Sequence, residues 1–258
     1  MNTKIILPVL FLMPALTARL VAAATDAAEI ETRIERGSLR GDTALIAAAN
    51  AELDAALAAD PKSPALLYLR GLGEYAVATA SRASNDTGVT TAHLENAAKL
   101  LQRVTGGAPW RPEAAGLASS IYGQLIGLKG GTAAMTLGPA SGDLLVEATS
   151  GAPRSPRVLY FRGVAKFTTP AQWGGNPTEG LKLLQQAVEG FARQDAASPG
   201  PHWGHADALA WLGLARQKTG EIEAARAAWI EALKVEPEYA WVKFVLLPSL
   251  PPAPEKSS

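Results

Sequence analysis

The sequence predicts an all-α fold of stacked helical hairpins, and three observations predict it. Alanine dominates a chain in which apolar residues fill 48% of 258 positions, and alanine is the strongest helix former. Glycine and proline punctuate the chain where helices should end. The chain also repeats itself. Ser63-Pro64-Ala65-Leu66-Leu67-Tyr68-Leu69-Arg70-Gly71 returns 92 residues later as Ser155-Pro156-Arg157-Val158-Leu159-Tyr160-Phe161-Arg162-Gly163, and Tyr75 returns as Phe167. Downstream, Lys99-Leu100-Leu101-Gln102 returns 83 residues later as Lys182-Leu183-Leu184-Gln185, so the two halves differ in loop length. A fixed internal period is the signature of a repeat architecture.

From the N-terminus, Lys4, the apolar run Ile5 to Leu16 and the small residues Ala22-Ala23-Ala24 read as a signal peptide over 1–24, cleaved before Thr25. Arg19 is unusual there, and an uncleaved inner-membrane anchor is the alternative. Ile5 to Leu16 alone is too short to cross a bilayer, and no later stretch is apolar enough, so no integral span is expected after cleavage. The expected compartment is the periplasm or the exterior. One helical domain over 25–247 follows, with duplicated halves near 62–153 and 154–247, and a Pro-rich flexible tail over 248–258.

In the first unit Asp42 caps a helix carrying Ala49, Leu53 and Ala56, with Pro61 after it. The second has Gly71, then Ala97, Leu101, Val104 and Pro109, with about fourteen extra residues between its helices. The third runs from Pro112 to Pro153, with Leu145 and Ala148 on its second helix. The fourth begins at Pro156 and carries Gly163, Leu184 and Ala187. In the last unit, Ala206 to Pro237, Leu209, Leu212 and Trp229 fill a seam that Gly213 and Ala225 allow to close. Gly220 ends its first helix and Pro237 stops its second. A short apolar helix, Tyr239 to Leu247, would cap the exposed end of the array.

The spacing of Leu209, Leu212, Gly213, Ala225, Trp229, Ala232 and Pro237 resembles the tetratricopeptide repeat, and most of residues 40–245 follow a looser form of it. The resemblance implies a right-handed α-solenoid of four to five helix-turn-helix units. It also implies which positions of each first helix line the concave groove. In the second unit these are Ala65, Tyr68, Leu72 and Tyr75, and in the third Glu113, Gly116, Ser120 and Gly123. The fourth gives Arg157, Tyr160, Val164 and Phe167, and the last Asp207, Ala210, Leu214 and Gln217. Each duplicated half thus brings two aromatics to that side, which suits a protein or peptide partner or a small hydrophobic ligand; packing against neighbouring helices would use them equally. The family's carboxylate-clamping variant uses Lys and Asn at such positions. Tyr68, Gly116 and Tyr160 do not match it, so capture of a chaperone C-terminus is not expected. Arg70 and Arg162, repeated at an often apolar position, either pair with a carboxylate or stack on a ring.

Chemistry-bearing motifs are few. Lys+Arg and Asp+Glu both number 24, so no basic footprint points to nucleic acid. The absence of cysteine removes disulfides, thiolate metal sites and a cysteine nucleophile. The sequence has three histidines, no Gly-x-Ser-x-Gly elbow, no phosphate loop and no His-Glu-x-x-His. Lys129-Gly130-Gly131-Thr132 reads as a turn after a helix. Asn85-Asp86-Thr87 fits a glycosylation acceptor only by coincidence if the signal is bacterial. His202 and His205 with Asp207 form the only histidine cluster. It reads as an inter-repeat turn, with a metalloenzyme centre as the sharper alternative. No cofactor is expected. Trp173-Gly174-Gly175-Asn176-Pro177 is the most unusual loop. Many exported bacterial tetratricopeptide proteins carry a similar aromatic-Gly-Gly-Asx-Pro stretch, which implies a shared loop shape. It serves either as a structural staple or as a ligand-facing surface. The leading expectation is a non-catalytic periplasmic scaffold for a protein or peptide, and the second a ligand-handling accessory of a periplasmic solute transport system.

Overall fold

The structure is a computed structural model that describes residues 13–81 and 86–252, with side chains from residue 27 onward. Lys4 and the start of the apolar run, Asn85, and the tail from residue 253 lie outside the described residues; the cleavage position after Ala24 falls where only backbone is described.

The described residues are helical, with no strand among them. The helices are α1 (Met13–Arg40), α2 (Thr43–Ala59), α3 (Pro64–Ala80), α4 (Thr87–Gln102), α5 (Trp110–Lys129), α6 (Gly131–Gly151), α7 (Pro156–Thr168), α8 (Pro177–Ala192), α9 (His205–Lys218) and α10 (Ile222–Val235). None is long and apolar enough to cross a membrane. Local chemistry sets the boundaries. Asp42, Asp86 and Asn176 each accept a backbone N–H from the residue three positions on, satisfying one of the free donors at the starts of α2, α4 and α8. Pro64, Pro156 and Pro177 sit in first turns, where a missing N–H costs nothing. Gly220 ends α9 in the left-handed region, at φ 84°.

The helices pack as neighbouring pairs: α3 with α4, α5 with α6, α7 with α8, and α9 with α10. The second helix of each pair also meets the first helix of the next. The seams form as the sequence predicts. Ala49, Leu53, Ala97, Leu101, Val104, Ala148, Leu184, Ala187, Ala225, Trp229 and Ala232 are buried. A Cβ on Gly71 would stand 2.9 Å from Leu101, one on Gly163 2.8 Å from Leu184, and one on Gly213 would overlap the Trp229 indole. Trp229 donates from Nε1 to the Ala210 carbonyl at 2.9 Å, so its one polar atom is not stranded.

Two expectations are corrected. Most of the extra residues of the second unit are not loop: α3 has 17 residues where α7 has 13, and α4 starts early. The segment after Tyr239 is not one regular α-helix. It widens into a π-helical turn, Val242–Leu246, then tightens into a 3-10 turn, Leu247–Ser249. Pro248, which has no N–H to continue an α-helical ladder, falls in the first turn of that 3-10 segment.

Helix α1 breaks the pairing pattern. It packs on both α2 and α3, and its last turns reach the other end of the chain. Leu39 is buried with Ala206, Leu209, Trp229 and Tyr239. Arg40 donates to Glu236, just after α10, through Nε at 3.2 Å and Nη2 at 3.0 Å. The first and last pairs are therefore bridged by one helix.

Candidate functional site

The residues expected to line a groove converge, but in the interior. Tyr68, Leu72, Glu113, Arg157 and Tyr160 are all buried, whereas Tyr75, Phe167, Asp207 and Gln217 are half-buried. The chain's own segments cover them. Ile34, Glu35 and Ser38 of α1 meet Leu72, Tyr75, Trp203 and Asp207 around a residual cavity of about 10 Å³, room for one water at most. Asp207 accepts a 2.5 Å hydrogen bond from the Tyr239 hydroxyl, and Gln217 donates to Ser249 at 3.3 Å, so the C-terminal segment lies over the last first-helix. Phe167 meets Trp211 edge-on at 6.4 Å, with Lys218 Nζ 5.2 Å from its ring. Repeat periodicity assigns these side chains to one side. It does not reveal that distant segments of the same chain pack there.

Trp203 is the hub. It lies in the loop between α8 and α9 and donates from Nε1 to the Tyr68 hydroxyl at 2.9 Å. Its ring stands 6.2 Å from Tyr75 and 6.1 Å from Phe161, while Tyr68 stands 5.5 Å from Trp110. Burial holds the Tyr68 hydroxyl well above the usual phenol range, so it stays protonated. Beneath the loop lies a buried ion pair. Arg157 Nε donates to Glu113 at 3.1 Å, Nη1 donates to the Trp203 carbonyl at 3.2 Å, and Ser155 donates to the other oxygen of Glu113 at 2.5 Å. Arg157 also lies over the Phe191 ring at 5.7 Å.

Helix α1 grips the same loop from the other side through two carboxylates one helical turn apart. Glu31 accepts from the backbone N–H groups of His202 at 2.8 Å and Trp203 at 3.3 Å, and Glu35 accepts from Gly204 at 2.8 Å. Gly204 is in the left-handed region at φ 106°, which aims its N–H at Glu35. A Cβ there would stand 3.2 Å from Phe191. Burial pushes both carboxyls up, and Glu35 reaches about 7 because the charges of Asp207 and Glu31 add to that burial. The sequence carried one signal for this contact, the spacing Glu31-x-x-x-Glu35. Like charges one turn apart repel on a solvated helix, so they indicate donors facing them.

The two histidines do not act together. His205 stacks on Phe191 at 5.6 Å, and burial lowers its pKa, whereas His202 Nε2 faces Ser198 at 3.4 Å. Among the described residues no three His, Asp or Glu side chains come together to hold a metal ion. Of the repeated arginines, Arg70 pairs with carboxylates, donating to Asp54 at 2.7 Å and to Glu74 at 2.6 Å.

The Trp173 loop is built the opposite way, outward. Trp173 closes a 3-10 turn, Ala171–Trp173, and is 77% exposed. Four successive backbone N–H groups of the loop are engaged. The N–H groups of Trp173 and Gly175 donate to Pro170, that of Gly174 to Ala171, and that of Asn176 to Lys166. Gly174 sits at φ 89°, and a Cβ on Gly175 would overlap the Thr169 carbonyl, so both glycines are needed. Asn176 then caps α8, and Lys166 ties the loop to Glu179 at 3.1 Å. A rigid frame holds a large apolar ring in solvent.

No family model and no curated protein matches the sequence. Among solved structures, the HusA haemophore from Porphyromonas gingivalis is similar at a TM-score of 0.48 and 19% identity, over 83% of this chain and 97% of that one.

Proposed function

We propose that the protein is a non-catalytic scaffold, exported from the cytoplasm, whose helical pairs form a tetratricopeptide-like solenoid and whose partner-binding anchor is the Trp173 loop. One observation carries this reading: a tryptophan 77% exposed on a loop whose four successive backbone N–H groups are all engaged. Tryptophan is among the residues enriched at interface hot spots, and a pre-organised backbone lowers the ordering cost of binding. The loop replaces the groove as the preferred surface, since α1 and the C-terminal segment occupy the side where the groove residues lie. Tyr68, Leu72, Tyr75, Glu113, Arg157, Tyr160, Phe167, Asp207 and Gln217 then hold the scaffold's shape, and Trp173, Gly174, Gly175 and Asn176 make the contact.

The test is crosslinking in the source cell's envelope from a photoreactive residue at Gln172. A discrete crosslinked partner that disappears with Trp173→Ala, while the melting temperature stays unchanged, is the expected result. The same crosslinks from the Ala variant would sink the reading. The export half is read separately from the N-terminal residue of the mature protein, which should be Thr25.

A further inference from the structure

The internal duplication extends to the helices themselves. α2 and α6 end 92 residues apart, at Ala59 and Gly151, and α3 and α7 begin 92 residues apart, at Pro64 and Pro156. The turns between them match: the Asp60 N–H donates to Ala56 at 3.0 Å and the Ala152 N–H to Ala148 at 2.9 Å. Side chains of α2 and α3 therefore have direct counterparts on α6 and α7.

The two copies are covered differently. α2 packs on both α1 and α3 and buries Ile46, Ala49 and Leu53 completely. The counterparts on α6, which are Gly138, Ser141 and Leu145, are only half-buried. α6 leans on α5, where the Ser119 and Ser141 hydroxyls each donate to the other residue's carbonyl at 2.9 Å, and it barely meets α7. Of its 21 residues only Ala148 is buried. Met135, Pro139, Gly142 and Val146 fall along one outward stripe at helical spacing. Met135 is 79% exposed and Val146 66%. A Cβ on Gly142 would meet nothing within 4 Å, so another backbone can approach there.

Charge says what covers this stripe. Arg70 pairs with Asp54 at 2.7 Å and Glu74 at 2.6 Å, beside a shallow depression that Asn50, Ala51 and His93 also line. At the 92-residue offset Asp54 and Glu74 become Val146 and Lys166, and Lys166 is held by Glu179. Arg162, the counterpart of Arg70, is half-buried and has no hydrogen bond or ion pair among the described residues. Ala51 becomes Asp143, which is exposed and likewise unpaired. The other acid of α6, Glu147, is held by Arg111 at 2.5 and 2.6 Å. One free cation and one free anion thus share an apolar face. A partner of one charge sign would satisfy one and repel the other, whereas a second copy of the face satisfies both.

We propose that this face is the interface of a two-fold homodimer, in which α6 lies antiparallel on the partner's α6 and Arg162 of each protomer receives the carboxylate of the partner's Asp143. An axis centred near Leu144 sets Val146 over the partner's Gly142 and brings the partner's Asp143 beside Val146, the position from which Asp54 serves Arg70 in the first half. A contact of this size sits at the low end of specific interfaces, so the dimer should form in the micromolar range. It is independent of the Trp173 loop.

The test is sedimentation velocity of the mature chain across the micromolar range. The wild type should pass from monomer to dimer. Arg162→Asp and Asp143→Arg, which set like charges against each other, should each weaken the dimer at least about tenfold. The double variant Arg162→Asp/Asp143→Arg should restore it, which a merely structural role for either residue would not do. Val146→Asp hands Arg162 a carboxylate within its own protomer, as Asp54 does for Arg70. It should give a monomer whose melting temperature is unchanged or raised. Trp173→Ala should leave the dimer intact, so this proposal and the Trp173 reading can fail separately. A wild type that stays monomeric, a double variant no better than the singles, a Val146→Asp variant that dimerises as the wild type does, or a dimer lost on Trp173→Ala would overturn the proposal.

Discussion

At the residue scale the decisive feature is Arg157 and the buried carboxylate of Glu113 it faces. A buried pair adds little by itself, because desolvation consumes most of the attraction, yet losing one partner strands the other. Arg157→Met should therefore cost about 3–5 kcal/mol in urea unfolding. The double variant Arg157→Met/Glu113→Leu should recover most of that loss. Equal destabilisation in the single and double variants would show that packing around Trp203 and Phe191, not the stranded charge, sets the cost. Gly175 gives a second case. A side chain there must displace the Thr169 carbonyl, so Gly175→Ala should strain the loop by about 1–3 kcal/mol. Amide exchange at Asn176 should rise accordingly, because its N–H bond to Lys166 closes the loop.

At the element scale the behaviour of α1 is set by Glu35. Its carboxyl titrates near 7 in the folded protein against 4.5 when unperturbed, so between those values the folded state holds the extra proton. Stability must then fall as pH rises from 4.5 through 7 and level off above it. Protection of the α1 amides, after correction for the pH dependence of intrinsic exchange, should be greater at pH 6 than at pH 8, and Glu35→Gln should remove most of that difference. A helix held more tightly at pH 8 would contradict the assignment. The same comparison explains what was legible of this element. Asp42 and Gly41 mark the boundary between α1 and α2, and Asp42 was readable as a cap because a capping bond is local. The partner of α1 was not readable, because Glu31 and the N–H groups it accepts are about 170 residues apart and belong to no repeat.

At the scale of the whole molecule, α1 turns an array of neighbours into a closed unit. A linear repeat array has contacts only between adjacent units and can unfold from its ends. Here Leu39 packs on the last pair and Arg40 binds Glu236, so the ends are coupled. Urea unfolding should therefore be a single transition, with exchange-protected amides in α2 and α10 lost at the same denaturant concentration. Ile34→Ala, which empties a fully buried position on α1, should cost about 2–5 kcal/mol and lower that shared midpoint. Separate midpoints for the two ends in the wild type would mean that α1 does not couple them.

The sequence by itself determined the helical class, the paired arrangement, the seams at Gly71, Gly163 and Gly213, and the cap at Asp42. All of these rest on interactions within a hairpin or between adjacent ones, so periodicity and turn chemistry encode them directly. Tertiary structure alone decided that Tyr68, Leu72, Glu113, Arg157 and Tyr160 are interior, that Trp203 binds Tyr68, and that Asn50, Arg70 and His93 share one cleft. Those outcomes depend on which distant segments reach the same surface. A repeat fixes the direction in which a side chain points, whereas the competing claims of α1, the α8–α9 loop and the C-terminal segment for the same apolar area fix what it meets.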